Sequence, residues 1–142
     1  MNKRKVVALA FVMLISLFML TSCARGISSV VNRRGDGVKR TYSCSYSTAY
    51  NGCLRACKSL GIMIQSDEDQ TGTIYGKTAG ASTGQAIALG GYYGQWVGIY
   101  VTKISDTSTE VEVITKREAA LDFYTGDWTD DIFQAIDMQV RK

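Results

Sequence analysis

Two periods run through the chain from position 41 onward. Tyr42, Cys44 and Tyr46 alternate with Thr41, Ser43 and Ser45, the period-two pattern of a first strand. The spacing then changes: Ala49, Tyr50, Cys53, Leu54, Cys57 and Leu60 recur at helical intervals, with Ser47 available as an N-cap and Gly61 at the position where a helix end takes a positive φ. Ile62 to Ser66 is short and β-favouring, Asp67 to Gln70 reads as a turn, and Gly72 to Lys77 as the next strand. Trp96 to Ser105 is apolar and β-rich, Asp106 to Thr109 turns it, and Glu110 to Thr115 sets two glutamates against two valines, as a half-solvated strand does. Asp127 can cap a last helix whose stripe is Trp128, Ile132, Ile136 and Val140; Asp130 and Asp131 in its first turn and Arg141 and Lys142 at its end suit the helix dipole. The pattern predicts one α+β domain over 38–142, an antiparallel sheet of about four to five strands packed by two helices, in the order β-α-β-β-β-β-α.

The N-terminus obeys neither period. Lys3, Arg4 and Lys5 precede an unbroken apolar run from Val6 to Leu20. As a helix those 15 residues would reach roughly 22 Å, short of a ~30 Å hydrocarbon core. The run therefore reads as the apolar region of a signal peptide covering 1–22. Leu20-Thr21-Ser22-Cys23 follows at once and resembles the bacterial lipobox, in which the cysteine is acylated and the peptide is cut just before it. The resemblance makes Cys23 the lipid-attachment residue. Residues 24–37 have no period and hold Arg, Ser, Asn and Gly, so 23–37 reads as a lipidated N-terminus and flexible tether, with Arg25, Arg33 and Arg34 within reach of anionic headgroups.

Composition changes the picture in two places. With no histidine anywhere, no imidazole base, Ser-His-Asp triad or His-coordinated zinc can be built. The net charge of +3 belongs to the signal peptide: three of the 16 basic residues lie in it, leaving 13 against 13 acidic in the 120 residues that follow cleavage. A balanced domain gives no electrostatic footing for nucleic-acid binding.

Several short motifs together resemble a family of small, largely uncharacterised bacterial lipoproteins. They are the lipobox, Ser59-Leu60-Gly61, Asp67-Glu68-Asp69, Gly72-Thr73-Ile74-Tyr75-Gly76, Val111-Glu112-Val113 and Gln134-Ala135-Ile136. The resemblance implies a single envelope domain held to a membrane through its acyl chains and offers no catalytic residue to carry over; with the balanced surface and no catalytic constellation in the sequence, the module is expected to be non-catalytic, with no cofactor. Ala24, where aspartate would favour inner-membrane retention, points to the outer membrane facing the periplasm in a Gram-negative cell.

The remaining candidates are few. Cys53 and Cys57 share a helix face as small core residues, too few for a metal site without histidine; export to an oxidising compartment permits a disulfide from Cys44 to Cys53 or Cys57. Gly76-Lys77-Thr78 lacks the earlier glycine of a phosphate-binding loop. Gly72, Gly76, Gly80 and Gly84, like Gly90, Gly94 and Gly98, are four apart. On a helix such a stripe supports self-association or membrane insertion through 72–98; in a strand it leaves one face open to close packing. Tyr92, Tyr93 and Trp96 are either an interaction surface for an envelope partner or part of the core under the last helix. Glu110, Glu112, Asp122 and Asp127 show no spacing that distinguishes an acid-base pair from a solvated face.

Overall fold

The computed structural model describes residues 26–80, 94–117 and 127–141. After a single 3-10 turn at Ile27–Ser29 come Val38–Tyr42 (β1), Tyr46–Ser59 (α1), Met63–Glu68 (β2), Thr73–Lys77 (β3), Gln95–Ser105 (β4), Ser108–Arg117 (β5) and Thr129–Val140 (α2). This is the α+β order expected from the periodicity. The five strands form one antiparallel sheet in the order β1-β5-β4-β3-β2. Strands β2 to β5 meander, and β1 adds beside β5. Because β1 and β2 are the two edges, α1 has to cross a sheet face to join them.

On that face Ile74, Val97, Ile99, Val101, Val111 and Val113 meet Ala49, Cys53, Ala56 and Cys57 of α1 and Ile132, Phe133 and Ile136 of α2. Burying each large apolar side chain contributes about 1.5–3 kcal/mol, so this layer carries most of the fold's stability. The helices cross where Gly52 faces Val140; a Cβ at position 52 would lie 2.9 Å from Val140 Cγ2. Arg40 ties β1 to α2, its guanidinium 4.3 Å from the Phe133 ring centroid and paired with Asp130 and Asp137.

Three local expectations shift. Asp67 and Glu68, read as part of a turn, extend β2 and pair with Ile74 and Thr73. The first strand ends at Tyr42 rather than running through Tyr46, and the cap of α1 is Ser45, not Ser47: the Ser45 hydroxyl accepts from the Thr48 amide at 3.3 Å. A cap at 45 commits Tyr46 to the helix and ends the period-two stretch early. The helix end is as read. Gly61 adopts φ +68, its amide donates to Lys58 O, and the Ile62 amide donates to Cys57 O, which closes a Schellman motif. At α2 the Asp127 carboxylate accepts from the Thr129 amide at 3.0 Å and the Thr129 hydroxyl at 2.6 Å, one residue before the N-cap position itself.

The larger difference concerns the expected tether. Residues 26–37 do not run free but pack across the second face of the sheet, opposite the helices. Val30 is fully buried there with Tyr100 and Ile114, and Ile27, Tyr75 and Trp96 pack around them. A polar, aperiodic composition concealed this, because two apolar side chains, Ile27 and Val30, suffice to seat the segment.

Candidate functional site

Strand register maps the second face into rows. Directly opposed residues of antiparallel strands share a face. One end carries Met63, Lys77, Trp96 and Lys116; next come Ser66, Tyr75, Gly98 and Ile114; then Glu68, Thr73, Tyr100, Glu112 and Lys39; and beyond them Thr102, Glu110 and Thr41. The N-terminal segment lies on the later rows. A Cβ on Gly98 would lie 3.1 Å from Val30 Cβ, so glycine is what lets the segment lie flat on β4.

Polar contacts fix the segment's course. The Tyr100 hydroxyl donates to Val30 O and accepts from the Arg33 amide at 3.0 Å. Burial pushes that hydroxyl up to about 12. Arg34 donates to Thr102 Oγ1 and Thr71 O, both at 2.7 Å, with its guanidinium 5.2 Å from the Tyr100 ring centroid. Glu112 Oε1 accepts from the Gly35 and Gly37 amides, each at 2.7 Å, and Oε2 from Gly35 at 2.9 Å. Glu112 is 2% exposed. Expected on a solvated face, it is instead a buried carboxyl group clamping the backbone that covers it, with Lys39 Nζ 4.0 Å from Oε2.

The other candidate carboxylates also have structural partners. Glu110 pairs with Lys39 at 3.1 Å. Asp127 holds the start of α2 and accepts from Thr115; the hydrogen bonds from Thr129, chiefly, keep its carboxyl below the ordinary value. Asp122 lies outside the described residues.

Cys44, Cys53 and Cys57 are free thiols. The disulfide envisaged from Cys44 to Cys53 or Cys57 does not fit this geometry. Cys44 precedes the Ser45 cap, and eight residues of helix from Ser45 to Cys53 rise about 12 Å. Bridged Cα atoms lie within about 7 Å of each other. Cys53 and Cys57 are core residues, as their helical spacing implied; burial pushes the Cys57 thiol up to about 11 and raises Cys53 further. Burial also raises the half-buried Cys44.

The glycine stripe, in its described part, belongs to strands and turns. Gly72 packs against Val101 O, Gly76 against Ile62 and Met63, and Gly98 against Val30. A helical packing groove is therefore not built there, and among the described residues no helix is long and apolar enough to cross a membrane. Gly84 and Gly90 lie outside the described residues. Of the aromatic trio, Tyr92 and Tyr93 also lie outside them. Trp96 is half-buried on the second face, so it does not join the core under the last helix. Lys77 Nζ stands 5.3 Å from its ring centroid, and its indole N–H has no hydrogen-bond partner among the described residues. Cys23 precedes the described residues by three positions.

Sequence reasoning missed the Glu112 clamp and the Met63-Lys77-Trp96-Lys116 row. The one local signal for the clamp was Gly35 and Gly37 just ahead of β1; the row had none, since its members come from four strands.

Fold and site together define a small single-sheet α+β domain whose N-terminal entry is part of the folded body. No family model and no curated protein matches the chain. Two solved structures similar to it are crystal structures of the adenylate sensor from AMP-activated protein kinase. The one complexed with ATP is 10% identical, with a TM-score of 0.47 over 75% of this chain and 96% of that one. The one with 5-aminoimidazole-4-carboxamide ribofuranotide is 11% identical, with a TM-score of 0.45 over 75% and 95%. Scores this low establish neither a shared fold nor a shared ligand.

Proposed function

We propose that this chain is a lipid-anchored protein of the bacterial envelope, cleaved before Cys23 and held to a membrane by acyl chains on that residue. Its folded part is a non-catalytic module that binds or supports another envelope component. The observation that carries the reading is the uninterrupted series of basic n-region, 15-residue apolar run and Leu20-Thr21-Ser22-Cys23. Two or more acyl chains, at ~0.8 kcal/mol per buried CH₂, make such an anchor stable. The engagement of Glu112 in clamping, Asp127 in capping and Glu110 in pairing supports the non-catalytic part. Ala24 after the cysteine favours the outer membrane in a Gram-negative cell.

Intact mass on detergent-extracted protein tests the anchor, with Cys23→Ser beside the wild type. A mass equal to residues 23–142 plus diacylglycerol, absent from the variant, is the expected result. An unacylated N-terminus in the wild type overturns the reading. Crosslinking in intact cells tests the module's role, and failure to recover a recurrent envelope component counts against it.

A further inference from the structure

We propose that the cross-strand row Met63-Lys77-Trp96-Lys116 lies against the anionic headgroup layer of the membrane that holds the anchor. The proposal rests on the Cys23 anchor described above and adds the orientation of the domain. Three observations carry it.

The first is reach. Cys23 is three residues before Gly26, the first described residue of the packed segment. Extended chain spans at most about 3.5 Å per residue, so the anchor lies within about 10 Å of the folded body. The domain sits on the bilayer instead of trailing from it.

The second is direction. Followed backward, the segment contacts Thr102 at Arg34, Tyr100 at Arg33 and Gly98 at Val30. Each step moves along β4 toward Trp96. Followed back to Val30, the described segment therefore runs toward the end of the sheet that carries the Trp96 row.

The third is chemistry. Met63 is 53% exposed at the edge of the sheet, Lys116 is exposed, and Trp96 and Lys77 are half-buried between them. Tryptophan with an apolar neighbour suits the interface between headgroups and hydrocarbon, and the exposed Lys116 beside it suits an anionic surface. The described acidic residues of this layer are elsewhere: Glu112 is level with Tyr100, Glu110 with Thr102, and Asp36 lies between the two glycines that Glu112 holds. Glu68 is level with Tyr100, about 13 Å along the strand from Trp96, and Asp106 is roughly 30 Å away at the hairpin tip. Both distances exceed a screening length of about 8 Å. Asp127, Asp130 and Asp131 belong to the helix layer on the other side of the sheet.

The chain's two tryptophans test this, because they lie on opposite faces: Trp96 in the row, Trp128 against the helix-side core. Full-length acylated protein is added from detergent to preformed vesicles of phosphatidylethanolamine and phosphatidylglycerol containing a headgroup spin-labelled lipid. Trp128→Phe leaves Trp96 as reporter, and Trp96→Phe leaves Trp128. Trp96 is expected to lose most of its emission and Trp128 almost none, with Lys116→Glu relieving the quenching in anionic vesicles. A second measurement needs no substitution. In wild-type protein on the same vesicles, a water-soluble amine reagent should modify Lys103 at the far end of β4 and spare Lys116, whereas both are exposed in the free fold.

Protein that floats with the vesicles but shows unquenched Trp96, or equal labelling of the two lysines, overturns the orientation and leaves the anchor standing. Protein without acyl chains by intact mass overturns both. Recovery of a Trp96-to-Trp96 contact between two copies, with lipid quenching lost, assigns the row to self-association and also overturns the proposal.

Discussion

Truncating Glu112 to alanine is the sharpest test of the N-terminal segment as part of the fold. The carboxylate is 2% exposed and holds the Gly35 and Gly37 amides through three hydrogen bonds of 2.7 to 2.9 Å. Removing it strands two amide donors under a packed segment. Each buried donor without a partner costs about 1–3 kcal/mol. Allowing the segment to relax toward water at its exposed Gly35 end, the expected loss is about 3–4 kcal/mol. Glu110→Ala is the control: it sits two residues away on the same face and loses only a surface pair with Lys39, worth about 0–1 kcal/mol. Glu112→Gln should fall between, since one amide oxygen can still accept while its NH₂ group opposes the second Gly35 contact. Urea unfolding read by far-UV circular dichroism measures all three. With a slope of roughly 1.5 kcal/mol/M, Glu112→Ala should move the midpoint by about 2 M and Glu110→Ala by less than about 0.7 M. A midpoint for Glu112→Ala within error of Glu110→Ala refutes the clamp.

Gly98→Val should displace the segment from β4, costing about 1–3 kcal/mol and opening the chain after Arg33 and Arg34 to trypsin; an unchanged digestion pattern would show that Val30 does not depend on that contact. At native pH a thiol reagent should reach half-buried Cys44 first and Cys53 and Cys57 only on unfolding; equal rates, or a mass two protons short of three thiols, would contradict the helix geometry. Asp127 has a folded value below its ordinary 3.8, so its stabilisation is present above that pH and lost as pH falls through the folded value. Asp127→Asn should therefore flatten the acid limb of the stability curve below about pH 4, and an unaltered limb would assign acid unfolding to other groups. Tyr100, raised to about 12, contributes stability that is complete below its ordinary value of 10.0 and lost as pH rises toward 12. Tyr100→Phe should soften that alkaline loss while costing about 1 kcal/mol at neutral pH through the missing bond to Val30 O, as urea melts across the pH range would read.

Much of the fold was legible because its signals are local. Side chains two residues apart on a strand, or three and four apart on a helix, share a face wherever the chain finally lies. Cys53, Cys57, Ile132 and Ile136 therefore announced the buried faces of two helices, and Gly61 announced the end of α1. The element order followed, and with it the α+β class. Residue chemistry along the first 23 positions also requires no folding to be read, so the anchor reading stands on sequence alone.

What only the tertiary structure decided depends on which elements meet. Alternation marks Glu110, Glu112 and Ile114 as one face of β5 but not what covers that face. The segment carrying Val30 covers it and turns Glu112 from a solvated carboxylate into a buried clamp. The placement of Trp96 beside Lys77, Lys116 and Met63 likewise comes from strand register, which unites residues up to 53 positions apart. Period two tells a side chain to point up or down; only pairing with neighbouring strands, and the choice of cover for each face, tells it what it will touch.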